Sequence, residues 1–214
     1  MCPAKNGYVV IIEKDRIQIL DQQLQTFMWR KGSYVGLAEG PNEEIFTLFK
    51  HSGNKMWHLH KEAVGQRGFY TRAGVISLSC IGRAAKNFGK YSSPSDLAYC
   101  NDKILITDQG LHKIYIINLT TGTQSIVGYY GSGPGHFSSP TSLIADESGN
   151  MLVADRDNRR LLCFNPLGQF VKQLECEERL PSSIKSVRIF KDHLYLVHRK
   201  YQDDNGGVVK YKLV

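Results

Sequence analysis

His58 and His60 stand two apart in the run KMWHLH, so on a strand they share one face. Such a pair can chelate a metal, but a site needs at least a third ligand and none lies nearby in sequence. Serine, histidine and aspartate all occur, yet no Gly-x-Ser-x-Gly elbow exposes a nucleophile. Gly131-Ser132-Gly133-Pro134-Gly135 has the glycines of a phosphate loop without its Lys-Ser/Thr ending or a following helix, and reads as a turn. Asp108 and Asp155 close the runs ILITD and MLVAD at equivalent positions. A carboxylate there accepts N–H bonds from the loop that follows, a structural role rather than an acid–base one. Asp157 is expected to pair with Arg159. No metal, cofactor or catalytic group is expected. The chemistry that remains is anion recognition: cations neutralise phosphates and planar rings stack on bases. The candidate contacts are Lys86, Lys90, His112, Lys113, Tyr130, His136, Arg156, Arg159 and Arg199.

Those residues sit in the gaps of a repeat. Between Gly131 and Leu174 four short apolar runs (Thr141–Ala145, Met151–Ala154, Leu161–Phe164 and Gln169–Leu174) are separated by turn residues, as in a four-stranded antiparallel sheet. The unit recurs upstream. HFSSPTSL matches KYSSPSDL, and MLVADRDNRRLLCF matches ILITDQGLHKIYII. Pro94 and Pro140 are 46 residues apart, a spacing typical of propeller blades.

The pattern Phe-x-x-Pro-x-x-Leu, then Gly-Asn-φ-φ-Val-Ala-Asp-x-x-Asn-x-Arg, then Gly-x-Phe resembles the NHL repeat. The likeness is close in Phe137–Leu174, good in Tyr91–Tyr129 and partial in Tyr8–Phe27. It implies an all-β propeller of four-stranded antiparallel blades, commonly six, like the C-terminal domain of tripartite-motif and Brat-like NHL proteins. Those propellers recognise RNA or protein. Ubiquitin transfer, where it occurs, belongs to a RING domain, and these residues hold none. Tyr91 and Phe137 occupy the repeat's aromatic position and are expected to fill the gaps between blades.

One propeller domain is expected over 1–214, in units of roughly 1–30, 31–82, 83–130, 131–175 and 176–214. The first unit reads as lacking its first strand before Tyr8. In the second, Lys61–Ala73 reads as an insertion ahead of an outer strand Gly74–Cys80. The last gives Lys185–Phe190, His193–His198 and Val208–Leu213. About five blades are thus visible, and the missing first strand suggests a six-bladed ring that is incomplete at its N-terminus, with five compact blades as the alternative.

The fold sorts charge by face. Loops between first and second strands carry Glu39, Glu43, Glu44, Asp102, Asp146, Glu147 and Asp192. The opposite face gathers the basic and aromatic candidates. The chain has a net charge of +7 and a pI near 9.1, which suits an anionic partner. It lacks any apolar run long enough to span a membrane and any signal-peptide pattern. Its five cysteines are odd in number and lack CxxC spacing, as expected of reduced thiols in a cytoplasmic protein. The sequence therefore predicts a binding module, not an enzyme. Single-stranded RNA is the first expected partner, and a protein substrate presented to a ubiquitin ligase the second. No membrane or DNA partner is expected.

Overall fold

The structure is a computed structural model that describes residues 2–3, 9–13, 16–20, 23, 25–41, 44–50, 57–64, 70–77, 93–175, 180–181, 183–201 and 204–212. Its described residues form five antiparallel sheets. The first is β1 (Cys2–Pro3), β2 (Val9–Ile12), β3 (Arg16–Leu20) and β4 (Thr26–Lys31). The second is β5 (Ser33–Glu39), β6 (Glu44–Lys50), β7 (Trp57–Val64) and β8 (Tyr70–Ser77). The third is β9 (Pro94–Cys100), β10 (Lys103–Asp108), β11 (Lys113–Asn118) and β12 (Gln124–Val127). The fourth is β13 (Pro140–Ala145), β14 (Met151–Asp155), β15 (Arg160–Phe164) and β16 (Phe170–Leu174). The fifth is β17 (Ile184–Phe190), β18 (His193–Tyr201) and β19 (Asp204–Lys212). Every sheet is a meander whose strands pair in chain order.

The middle strands are apolar on both faces because a sheet packs on each side of them. Ile104 and Ile106 of β10 join a core with Phe46, Leu48 and Leu59 of the second sheet. Leu105, on the other face, packs with Phe137, Leu143, Met151 and Val153 of the fourth. In β14 the same division repeats: Met151 and Val153 face the third sheet, while Leu152 and Ala154 meet Ile184, Val187 and Leu194 of the fifth. A one-residue slip would exchange these two sets, so each strand's register is set by both neighbours at once. Phe137 is fully buried with its ring 5.4 Å from that of Phe164, and so fills the gap between sheets three and four. Tyr91 lies outside the described residues.

First strands stand side by side along the inner edge: β5 adjoins β9, β9 adjoins β13, and β13 adjoins β17. Each of the last three carries a bulge near its start, at Ser95, Thr141 and Lys185. The first two bulge hydroxyls reach the next sheet. Ser95 Oγ donates to the carbonyl of Pro140, and Thr141 Oγ1 to that of Ile184, each at 2.9 Å. Deeper in, Ser142 Oγ donates to Asp96 Oδ2 at 2.6 Å and accepts from the Val187 amide at 3.1 Å. Inner strands are thus tied by hydrogen bonds whose donors recur at the same repeat position.

Three strand expectations are corrected. The first sheet does have a first strand: Cys2 and Pro3 pair with Val10 and Val9. Two residues leave no alternating pattern to read, and a proline, lacking an N–H, is tolerated in an edge strand. Lys61–Ala73 is not an insertion ahead of the outer strand. β7 runs on to Val64, and β8 begins at Tyr70, with Ala63 opposite Thr71 and Val64 opposite Tyr70. Charged residues obscured this hairpin because its outer part need not alternate. The last hairpin is also longer than expected, since β18 reaches Tyr201 and β19 starts at Asp204. Among the described residues no helix is long and apolar enough to cross a membrane.

Candidate nucleic-acid interface

Strand register places the β10–β11 and β14–β15 loops at one end of their sheets and the β9–β10 and β13–β14 turns at the other. Neighbouring sheets share these ends. Arg156 Nη1 of one loop lies 3.4 Å from Gln109 Oε1 of the preceding sheet's loop. At the far end, Asn101 Nδ2 donates to the Glu147 carbonyl at 2.9 Å. His112, Lys113, Tyr130, His136, Arg156, Arg159 and Arg199 therefore all stand at the first end. Lys86 and Lys90 lie outside the described residues. The other end carries Asp102, Asp146, Glu147 and Asp192 among the described residues, and Glu39 and Glu44 in the second sheet. Glu44 is paired with Lys61 at 2.7 Å. Glu43 lies outside the described residues.

Two buried aspartates fix the loops. Asp108 Oδ1 accepts from the amides of Ser93, Gly110 and Leu111, each at 3.0 Å. Asp155 Oδ1 accepts from the Ser138 amide at 2.6 Å, and its Oδ2 from Asn158 Nδ2 at 2.7 Å and Arg160 Nε at 2.9 Å. Burial pushes both carboxyls above the ordinary range, opposed by these hydrogen bonds. Arg160 also donates to the carbonyls of Ser132, Gly133 and His136. It holds the Gly131–His136 turn in shape, so that turn is scaffold, not a phosphate cradle.

The scaffold presents two ring pairs. Tyr130 and His112 lie 4.8 Å apart between ring centroids, and Tyr129 and His136 lie 4.0 Å apart. His112 is in the left-handed region with φ 55°, and its Nδ1 accepts from the Ser139 amide at 3.0 Å. That bond fixes the imidazole on the inter-sheet loop, under Tyr130. The tyrosines remain 70% and 59% exposed, so each offers a free ring face.

Cations gather at the same end of the sheets. Arg199 is exposed, and Arg156 and Lys185 are partly so. Burial, then the nearby charges of Arg199 and Arg156, hold the Lys185 ammonium below its ordinary range, with Asp157 opposing. Three cations crowded around one carboxylate form a surplus of positive charge. The expected Asp157–Arg159 pair is corrected: Asp157 takes Arg156 Nε at 2.8 Å. Arg159, at φ 51°, turns its exposed side chain outward. Lys185 was not among the residues anticipated from sequence. Its signal was Ser182-Ser183-Ile184-Lys185-Ser186, which aligns with SSPSD and SSPTS and puts a lysine in the bulge slot of Ser95 and Thr141.

His60 is 4% exposed with its ring 5.0 Å from that of Phe49, and His58 shares its side of β7. Among the described residues no group of three metal-ligating side chains forms. Cys100 is a buried free thiol that donates to the Asp146 carbonyl at 3.0 Å, and Cys163 is a half-buried one.

Antiparallel meanders of four strands, and in the fifth sheet three, packed side by side along their first strands, define a β-propeller with a basic, aromatic face. Residues 89–212 match the family described as 6-bladed beta-propeller (DUF5128), and the chain belongs to that family. Three solved structures are similar in fold. A protein of unknown function from Bacteroides caccae aligns with TM-score 0.68 at 11% identity, over 98% of this chain and 75% of that one. A luciferin-regenerating enzyme aligns with TM-score 0.62 at 15% identity, over 95% and 73%. The Cps50 (Swd1) β-propeller domain of Myceliophteria thermophila aligns with TM-score 0.61 at 10% identity, over 93% and 61%. At such identities they speak to the fold alone.

Proposed function

We propose that this propeller is a non-enzymatic binding module that takes single-stranded RNA across its basic face. The observation that carries the reading is that two ring pairs with exposed tyrosines, Tyr130–His112 and Tyr129–His136, stand at the same end of the sheets as the Arg156, Lys185 and Arg199 cluster. Rings stack on bases and cations neutralise the phosphates between them. The NHL-like pattern of sheets three and four supports it, since tripartite-motif and Brat-like propellers recognise RNA or protein. Asp108 and Asp155 are committed to loop hydrogen bonds, which supports a recognition role over acid–base chemistry.

Fluorescence anisotropy with a random-sequence single-stranded RNA, titrated across salt, tests the reading. Each phosphate contact on a single strand contributes about −0.7 to the slope of log affinity against log salt. Arg159→Ala, Lys185→Ala and Arg199→Ala together should flatten that slope by up to about two units. Tyr130→Ala should weaken binding by ~1–3 kcal/mol and leave the slope unchanged, because stacking releases no counterions. No binding by the parent at low salt would overturn the RNA reading and favour protein recognition on the same face.

A further inference from the structure

A cavity of about 520 Å³ opens between the fourth and fifth sheets, toward the end opposite the basic face. Its walls include Ile144, Leu152, Cys163, Leu174 and Ile189, and Asp146, Asn150 and Arg188 stand at its polar margin. The corresponding gap between the third and fourth sheets is only about 30 Å³.

Two differences in the repeat account for the contrast. In the tighter gap the β13–β14 turn, Asp146–Asn150, folds across onto the third sheet. It is pinned there by the Cys100 thiol on the Asp146 carbonyl and by Asn101 on the Glu147 carbonyl. The equivalent β17–β18 turn is only Lys191–Asp192, between Phe190 and His193, and spans less ground. The second difference is one side chain. Leu105 pairs with Ile116 in the third sheet, and the equivalent Leu152 pairs with Cys163 in the fourth. A thiol replaces a branched butyl group where the wall should be thickest. The space opens to solvent and its lining is mostly apolar with a few polar groups at one margin, as ligand pockets are.

Arg188 gives the cavity a chemical preference. Its Nη1 is held by the Val187 carbonyl at 2.7 Å, with Ser142 Oγ and Asp96 Oδ2 each at 3.4 Å. Its Nε and Nη2 take no partner among the described residues, and its side chain is 45% exposed. Asp146 forms no ion pair with it; the amide and side chain of Asn150 donate to the two Asp146 oxygens at 2.8 Å each. An immobilised guanidinium with two free donors matches a carboxylate in fork geometry.

We infer that this cavity binds a small amphipathic acid, an apolar chain ending in one carboxylate, with the chain against Cys163 and Leu152 and the carboxylate on Arg188. The site is independent of the RNA reading, since it lies at the other end of the sheets.

The test is calorimetric titration of the protein with dodecanoate, and with dodecan-1-ol as the neutral counterpart. Dodecanoate should bind one to one. Cys163→Ile, which restores the branched side chain used in the tighter gap, should weaken it at least about tenfold while leaving the melting temperature equal or higher. Arg188→Gln should weaken dodecanoate about tenfold and leave dodecan-1-ol unaffected. As a readout free of any substitution, bound dodecanoate should slow alkylation of Cys163, located by peptide mass spectrometry. No dodecanoate binding at ~1 mM, undiminished binding by a folded Cys163→Ile protein, or alkylation of Cys163 unaffected by ligand would overturn the site. Equal response of acid and alcohol to Arg188→Gln would overturn the acidic headgroup.

Discussion

Asp108 and Asp155 hold equivalent repeat positions but are satisfied differently, and substitution should separate them. Asp108 accepts all its hydrogen bonds on Oδ1, and its buried Oδ2 has no partner among the described residues. Asp108→Asn keeps a carbonyl oxygen for those amides and removes a buried charge. It should change stability by less than about 1 kcal/mol at neutral pH, or raise it. Asp155 takes donors on both oxygens. In Asp155→Asn the amide NH₂ would confront Asn158 or Arg160 and leave a guanidinium unpaired, at a cost of ~3–5 kcal/mol. Urea unfolding of both variants checks the contrast. The pH dependence has a defined sign. Burial raises the folded Asp108 pKa, so the folded state holds its proton longer than the unfolded one. That contribution is full below the unfolded value of 3.8 and is lost as pH rises through the raised folded value. The advantage of Asp108→Asn over the parent should therefore grow across that window and level off above it.

Strands and their turns show where side-chain volume matters. Gly128 has φ 75°, and a Cβ there would lie 2.3 Å from the Phe137 ring that closes the gap between sheets. Gly122 has a similar φ of 67° with open space around it. Alanine at Gly122 meets only backbone strain, about 1 kcal/mol. At Gly128 the clash adds to that strain, and the loss should exceed it by ~1–3 kcal/mol. Thermal melts of the two single variants test the difference, and equal losses would show that Phe137 moves aside freely. Val153 is fully buried against the third sheet. Val153→Asp puts an unpaired carboxylate there and should cost several kcal/mol. A soluble variant with an unchanged melt would contradict the strand's orientation.

Among the described residues, most loop charges are sorted to opposite ends of the sheets, on a net of +7 for the chain. A field of that shape steers a polyanion to one end, at a rate that falls with ionic strength. Association of an oligouridylate should slow steeply between about 0.05 and 0.2 M salt. Glu147→Gln with Asp192→Asn, at the acidic end, should leave that rate nearly unchanged at physiological salt, where the Debye length is about 8 Å. Stopped-flow mixing measures both. A large change from the acidic-end pair would mean that net charge, not its sorting, governs encounter.

Fold class and repeat unit were legible in the residues alone, because each blade restates the same order of apolar runs and turn residues. SSPSD and SSPTS announce an inner strand, and ILITD and MLVAD a fully buried middle one. The shared end of His112, Tyr130, His136, Arg156 and Arg159 followed from that order, since antiparallel strands assign loops to ends by counting. Tertiary structure decided what depends on neighbours distant in sequence. Cys2–Pro3 is a strand only because Val9 and Val10 are there to pair with it. Arg156 takes Asp157 and Arg160 takes the inter-sheet turn, a choice made by distances between loops. Lys185 joins the basic cluster because a bulge turns it to the face where Arg156 arrives from the β14–β15 loop and Arg199 from β18. The space beside Cys163 exists because a two-residue turn on one sheet falls short of the next. Periodicity carries the elements, but the size of a gap between two sheets is a property of both together.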